Sequence, residues 1–536
     1  MDGARAAVVY PNPSAEVTML ASSIPGPTCF PRAVTALLTI LVFGGPSLPS
    51  SPGGDASADD AAIAALQRDL RSQYPDKRRR TVTKLAALRG ERAMELVLGA
   101  LDDPSAEVAD EAQLRVVAFE PEGVVDELLG KAGLRSKDRW IRLRAAEALG
   151  RMGGPVDAER LVRAFDRRDP EVLGATLWTL ERLAEREALA GDPAKVVKKL
   201  DPFLTRRARD GVRAAALQAL VRVDPGAARQ AIERLRNVED RRTACSVLEA
   251  AATLDPARAQ GMLERAAAAE DPGVRAKAIE ILARAARRQT LDVLVARLRA
   301  EPRPAIRGRL VAALRWLTGF RHGDKPDAWA HTVRSLPANW KASDVKNAYV
   351  ASGRNEGTVA EIRRLQPGSD RLAILVDFSG SLWNVKEDGM RRKDLVDPEV
   401  VGLLERLDQN GSFFLVPFTG EPHPMTDEPI DATAFHVRKA QRFFRSATMR
   451  GKGNVYDAID LALSFDSVDR ILVMTDGAPT GGRRWNLELM VPLLLERTRF
   501  RPVTFDFVLF DAPAGLARRW EQLAERTGGR SLAVHF

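Results

Sequence analysis

Residues 272–282 read PGVRAKAIEIL, and the same frame returns when this stretch is slid upstream, in DGVRAAALQAL from Asp210, PEVLGATLWTL from Pro170 and RWIRLRAAEAL from Arg139. The frame is an apolar anchor, small or apolar residues four and five positions on, and another apolar residue at plus eight. In the Pro272 copy these are Val274, Ala278, Ile279 and Leu282, a spacing that lines one face of an α-helix. Weaker copies hang on Val108, Thr243 and Ile306, so the anchors fall at 108, 141, 172, 212, 243, 274 and 306, separated by 33, 31, 40, 31, 31 and 32 residues. A near-constant period in this range is the mark of a solenoid.

Asp-Pro pairs precede several of these helices (Asp169-Pro170, Asp271-Pro272), placing an oxygen acceptor at the cap and a residue that needs no donor at the first turn. Second amphipathic segments such as LDVLVARLRA from Leu291 lie between the anchored helices, so each unit is a helix pair. The region 61–320 resembles the HEAT-like repeat family, with seven recognisable copies and room for a degenerate capping one before residue 100. Neighbouring pairs must stack to cover their apolar faces, and the extended surface this creates usually binds proteins. The repeat frame itself implies packing and no catalysis.

Beyond the array, WLTGFRHGDKPDAWAHTVRSLPANWKASD loses the frame and carries Trp316, Trp329 and Trp340, which reads as a cap on the last apolar face. With the polar stretch that follows, residues 321–367 form a cap and linker. Before the array, the Gly, Pro and Ser-rich stretch 44–60 reads as a flexible connector. It is preceded by an apolar run, Ala33 to Phe43, which is shorter than the roughly 20 residues a membrane-spanning helix needs. After Arg32, and if translation starts at Met19, that run fits the apolar part of a secretory signal, so residues 1–60 are read as signal and linker and the chain as exported, to the periplasm, cell surface or exterior; the alternatives are a short membrane anchor and a misassigned segment, which would leave the chain cytoplasmic.

The net charge of +9 comes from 81 basic and 72 acidic residues, with many arginines among alanines on helical segments. Spread in this way they read as solvated surface; a nucleic-acid groove would need them aligned along one edge. Two cysteines, Cys29 and Cys245, and five scattered histidines give no ligand spacing for zinc or an iron–sulfur cluster. Cys245, in TACSVLEA, reads as a buried structural thiol.

From Arg371 the pattern changes to strand-length apolar runs, LAILV (372–376), FFLVPF (413–418), RILVM (470–474) and VTFDFVLF (503–510), alternating with helical segments such as VVGLLERL, NVYDAIDLALSF and LELMVPLLLERT. That alternation predicts a doubly wound α/β domain over 368–536, with a largely parallel sheet whose ligands sit beyond the carboxyl ends of the strands. At two such ends stand Asp377-Phe378-Ser379-Gly380-Ser381 and Thr475-Asp476-Gly477. Carboxylates and hydroxyls alone, in a partial shell, suit a hard divalent cation such as Mg²⁺. Taken singly, Asp377 could be a helix cap and Asp476 part of a turn; their occurrence together at two strand ends weakens both readings.

Asp-x-Ser-x-Ser followed by Thr-Asp-Gly resembles the metal-ion-dependent adhesion site of von Willebrand factor type A domains, whose fold is Rossmann-like. The resemblance covers 371–536. It implies that Asp377, Ser379, Ser381 and Asp476 hold Mg²⁺ or Mn²⁺, Asp476 directly or through water, and that a partner's exposed carboxylate completes the shell. In RGKGNVYDAIDLAL, Gly453 stands where the family usually has Thr, leaving Asn454 as the auxiliary ligand, or Thr448 if the loop allows, and implying weaker ion binding than at a complete site.

A haloacid dehalogenase-type phosphatase would want a second Asp where Ser379 stands, and no histidine motif accompanies Ser379 or Ser381 to activate a nucleophile. The expected function is therefore non-enzymatic protein binding. The alternatives are a nucleic-acid-binding array with a recruiting type A domain, and a structural scaffold with a degenerate metal site.

Overall fold

The computed structural model describes residues 56–342, 356–357, 368–385 and 389–535. The proposed signal, Cys29 and most of the 342–368 linker lie outside the described residues. Within the described residues no helix is long and apolar enough to cross a membrane.

The first half of the array comprises α1 (Ala56–Asp69), α2 (Pro75–Leu88), α3 (Glu91–Gly99), α4 (Ala106–Arg115), α5 (Pro121–Leu129), α6 (Arg139–Leu149), α7 (Ala158–Arg163), α8 (Pro170–Glu185) and α9 (Pro193–Leu200). The second half continues with α10 (Asp210–Val223), α11 (Pro225–Leu235), α12 (Arg241–Leu254), α13 (Pro256–Ala266), α14 (Pro272–Ala285), α15 (Arg288–Ala300), α16 (Pro304–Thr318) and α17 (Pro326–Ser335). The anchored helices are the even-numbered ones from α4 to α16, and they stack on one another in sequence, with α2 added as a further layer at the N-terminal end. The repeat frame is their packing face. At plus eight, Val116, Leu149, Leu180, Leu220, Leu282 and Leu314 are all buried, each such side chain worth roughly 1.5–3 kcal/mol removed from water.

The caps follow from the Asp-Pro pairs: Asp169 accepts from the amides of Glu171 and Val172, and Asp271 from that of Val274. The long 40-residue spacing, from Val172 to Val212, holds β2 (Leu189–Ala190), which pairs in parallel with β1 (Val156–Asp157) of the preceding repeat. The tail is a helical cap. Trp329 of α17 is fully buried in the core formed by α14–α16, and its indole donates to the Gly323 carbonyl at 2.8 Å.

The C-terminal sheet has seven strands: β3 (Glu356–Gly357), β4 (Arg371–Asp377), β5 (Ser412–Phe418), β6 (Ile430–Asp431), β7 (Arg470–Thr475), β8 (Thr504–Phe510) and β9 (Ser531–Val534). Their order is β3-β9-β8-β7-β4-β5-β6, parallel throughout except for β6. One expectation is corrected here. Glu356 and Gly357, read as linker, pair with Ala533 and Val534 and extend the sheet edge, a contact no local periodicity could announce. Helices α18 (Arg392–Glu405), α19 (Ala434–Ser446), α20 (Val455–Leu463), α21 (Leu487–Thr498) and α22 (Ala514–Thr527) cover the sheet. Alternate residues of β4 serve opposite faces: Ala373 and Leu375 join one apolar cluster, and Leu372, Ile374 and Val376 the other.

The described residues of the array and the sheet domain form one compact unit. Polar side chains of the even-numbered row meet arginines of the sheet domain. Arg484 donates to Glu147 (2.6 Å) and Gln113 (2.9 Å), and Arg499 to Glu181 (2.8 Å) and Glu249 (2.9 Å). The surface expected to await a partner is thus, over this row, covered by the chain's own C-terminal domain. Cys245 lies at the same seam against Phe500 and Ala214, and burial pushes its thiol up to about 12.

Candidate functional site

The sheet reverses its winding at β4, with β5 on one side and β7 on the other. Brought side by side there are Asp377, the last residue of β4, and Asp476, the first after β7. A crevice at such a switch point is where this architecture places ligands. Asp377, Ser379, Ser381 and Asp476 line one small cavity with Leu382, Arg392 and Phe510, and its volume of about 10 Å³ accommodates a single water-sized centre.

Local structure fixes each donor. Asp377 Oδ1 accepts from the amide of Ser379 (2.8 Å) and Oδ2 from the hydroxyl of Thr475 (2.7 Å). Ser379 Oγ and Ser381 Oγ stand 3.1 Å apart. Asp476 Oδ1 accepts from the Ala478 amide, and the turn after it requires Gly477, which has φ of 85° and whose carbonyl accepts from the buried Trp520 indole. Burial, together with the neighbouring Asp476 charge, raises the Asp377 carboxyl from 3.8 to about 6, against the pull of the Thr475 and Ser379 hydrogen bonds. Two carboxylates converge here, and the Arg392 guanidinium at the rim is ion-paired with Asp511 at 2.7 Å. The donor set of carboxylates and hydroxyls fits a small hard cation, and a cation would relieve the cost of ionising Asp377.

The sequence-derived auxiliary ligand is corrected by the geometry. Asn454 does not line the cavity, because it caps α20: its Oδ1 accepts from the Asp457 amide, and its Nδ2 donates to Gly420 O and Asp457 Oδ2. Thr448 is exposed. Gly453 does border the site, since a Cβ on it would lie 3.2 Å from Asp377 Oδ2 and 3.4 Å from Ala478 O. Gly453→Thr is expected to raise divalent-ion affinity by bringing a hydroxyl to Asp377, provided the loop yields by a few tenths of an ångström. Isothermal titration with Mn²⁺ checks this, and an unchanged affinity would place the missing hydroxyl elsewhere.

Sequence reasoning overlooked Thr475 as the link between the two strand ends, and Arg392. The signal for Thr475 was available in its alignment beside Asp377. Arg392 reaches the rim because α18 begins well before the apolar segment VVGLLERL that marked it in the sequence.

No family model matches the sequence, and no curated protein is significantly similar to it. Among solved structures, the chain is similar to the conserved hypothetical protein BatB from Bacteroides thetaiotaomicron, at 19% identity over 31% of this chain and 89% of that one, with a TM-score of 0.23. It is also similar to an aerotolerance-related membrane protein from Bacteroides fragilis, at 16% identity over 30% and 90%, TM-score 0.24. The chain is similar as well to the karyopherin Kap121p, at 14% identity over 50% of this chain and 38% of that one, TM-score 0.27. At such scores none of these likenesses bears on function.

Proposed function

We propose that the chain is a non-enzymatic protein-binding protein, in which a HEAT-like array carries a von Willebrand factor type A domain whose cation site captures a carboxylate of a protein partner. The ion is Mg²⁺ or Mn²⁺, and its holders are Asp377, Ser379, Ser381 and Asp476. The observation that carries this reading is the convergence of two carboxylates and two hydroxyls on one water-sized cavity at the sheet's switch point. An ion bound there would supply an open coordination position for an external carboxylate oxygen.

The residues of this chain do the rest. Thr475 and the Ser379 amide orient Asp377, and Gly477 with Trp520 fixes the turn that presents Asp476. Ser379 and Ser381 bond to each other, and among the described residues neither lies in a hydrogen bond with a histidine that would activate it, which favours binding over nucleophilic chemistry. The nucleic-acid alternative needs free cations on the array. Along the even-numbered row, however, Arg144, Arg213, Arg275 and Lys277 are buried and each is paired with a carboxylate. Export is part of this reading and rests on the 33–43 run.

The test is thermal unfolding of the full chain with and without millimolar Mg²⁺, at two pH values. Without ion, the folded chain keeps the Asp377 proton that the unfolded chain has already lost. The Asp377 contribution to stability, read as the difference from Asp377→Ala, should therefore fall as pH rises from about 4 to 6, by roughly 1.4 kcal/mol per unit. A bound cation needs the carboxylate, so the ion-dependent rise in midpoint should be small at pH 5 and larger at pH 7. A midpoint indifferent to Mg²⁺ and Mn²⁺ at pH 7 rejects the ion site and leaves the scaffold reading.

A further inference from the structure

The segment that follows Asp476 runs without regular structure to α21, and it is fastened along its length. Near the cavity, Thr480 exchanges hydrogen bonds with Gly453, donating its amide to Gly453 O (3.0 Å) and accepting from Gly453 N at Oγ1 (2.6 Å). Gly482, with φ of 90°, packs so tightly on Asn454 that a Cβ would fall 1.8 Å from Asn454 Oδ1. Arg483 donates to Asp457 (2.6 Å) and lies over the Trp140 ring of α6 at 5.1 Å.

The far end belongs to the array. Arg484 is held by Glu147 and Gln113, the amides of Trp485 and Asn486 both donate to Asp110 Oδ2 (2.6 and 2.9 Å), and Arg79 of α2 covers the Trp485 ring at 5.5 Å. Asp110, Gln113 and Glu147 are all buried. A short irregular segment pinned at both ends has little freedom to lose. Released at one end, it must be ordered again whenever its other end is engaged.

We propose that the first layers of the array, through Asp110, Gln113 and Glu147, tune the ion affinity of the cavity by holding the 480–486 segment, and so add to the hold that Gly477 and Trp520 have on the turn presenting Asp476. Ion binding and the array's grip are then linked, each strengthening the other by the same factor. This rests on the reading of the cavity as an ion site. Asp110, Gln113 and Glu147 act as positioning residues: they touch the segment and not the ion.

The experiment is Mn²⁺ titration of the full chain by electron paramagnetic resonance, in the unaltered protein and in Asp110→Asn, Gln113→Ala and Glu181→Gln. Gln113→Ala is included as the milder change should Asp110→Asn disturb folding, and Glu181→Gln weakens another, part-buried contact across the same seam, to Arg499, outside the segment. Affinity is expected to fall about fivefold or more in the first two variants and to hold in the third. In the unaltered chain, Mn²⁺ is expected to slow hydrogen exchange at the Trp485 and Asn486 amides. Mn²⁺ binding that is indifferent to Asp110 and Gln113, or that weakens equally in Glu181→Gln, overturns the coupling alone. Absence of Mn²⁺ binding in the unaltered chain overturns the ion reading and the coupling with it.

Discussion

Glu147→Ala is expected to cost the full chain about 3–5 kcal/mol of stability, read as a lowered midpoint in urea unfolding at unchanged slope. Glu147 is buried on α6, where one carboxylate oxygen takes the Arg484 guanidinium at 2.6 Å and the other the Gln113 amide at 2.7 Å. Truncation leaves a fully buried cation and a buried amide facing a void, and the desolvation already suffered by Arg484 is no longer offset. Asp110, 3.7 Å from Arg484, remains and keeps the loss toward the lower end of that range. Replacing both Glu147 and Arg484 by methionine should recover much of it, because two apolar groups of similar volume remove the unpaired charge. A double variant no better than Glu147→Ala alone would mean that the pair matters through its shape.

Asp377→Ala separates the ion reading from a purely structural one. If Asp377 holds a cation, the substitution abolishes a stabilisation of about 2.7 kcal/mol in the presence of ion at a hundred times its dissociation constant. In the absence of ion the same change should cost little. It removes a carboxyl that burial already disfavours ionising, and that relief offsets the loss of an acceptor for the Thr475 hydroxyl and the Ser379 amide. If Asp377 only orders the Ser379 turn, the order is reversed: stability falls without ion, and adding ion changes nothing. Calorimetry of both proteins with and without Mn²⁺ distinguishes the two patterns.

Much of the architecture was legible because it repeats or alternates. The anchor frame from Val108 to Ile306 is the packing face of the even-numbered helices, and the apolar runs beginning at Leu372, Phe413 and Arg470 are β4, β5 and β7 to within a residue. The Asp377 and Asp476 motifs were legible for a related reason, since strand ends in a parallel sheet fall together.

What stayed hidden depends on contacts distant in sequence. Asp110, Glu147 and Glu181 sit among helical residues that read as ordinary solvated surface, yet they are buried by arginines more than three hundred positions away. Asn454 was read from the sequence only as an auxiliary ligand, and the start of α20 at Val455 makes it the cap. The strand at Glu356 and Gly357 is too short for any pattern and exists because β9 offers it an edge.

The polar character of the seam has a consequence for how the chain is made. Synthesis delivers the array first, and domains fold as they emerge, so Asp110, Glu147, Glu181 and Glu249 meet water before Arg484 and Arg499 have been translated. A greasy seam would leave the half-made protein with an adhesive flank for as long as the ribosome needs to finish the sheet. A charged one keeps the nascent array hydrated, and becomes dry only when the last third of the chain arrives to close it.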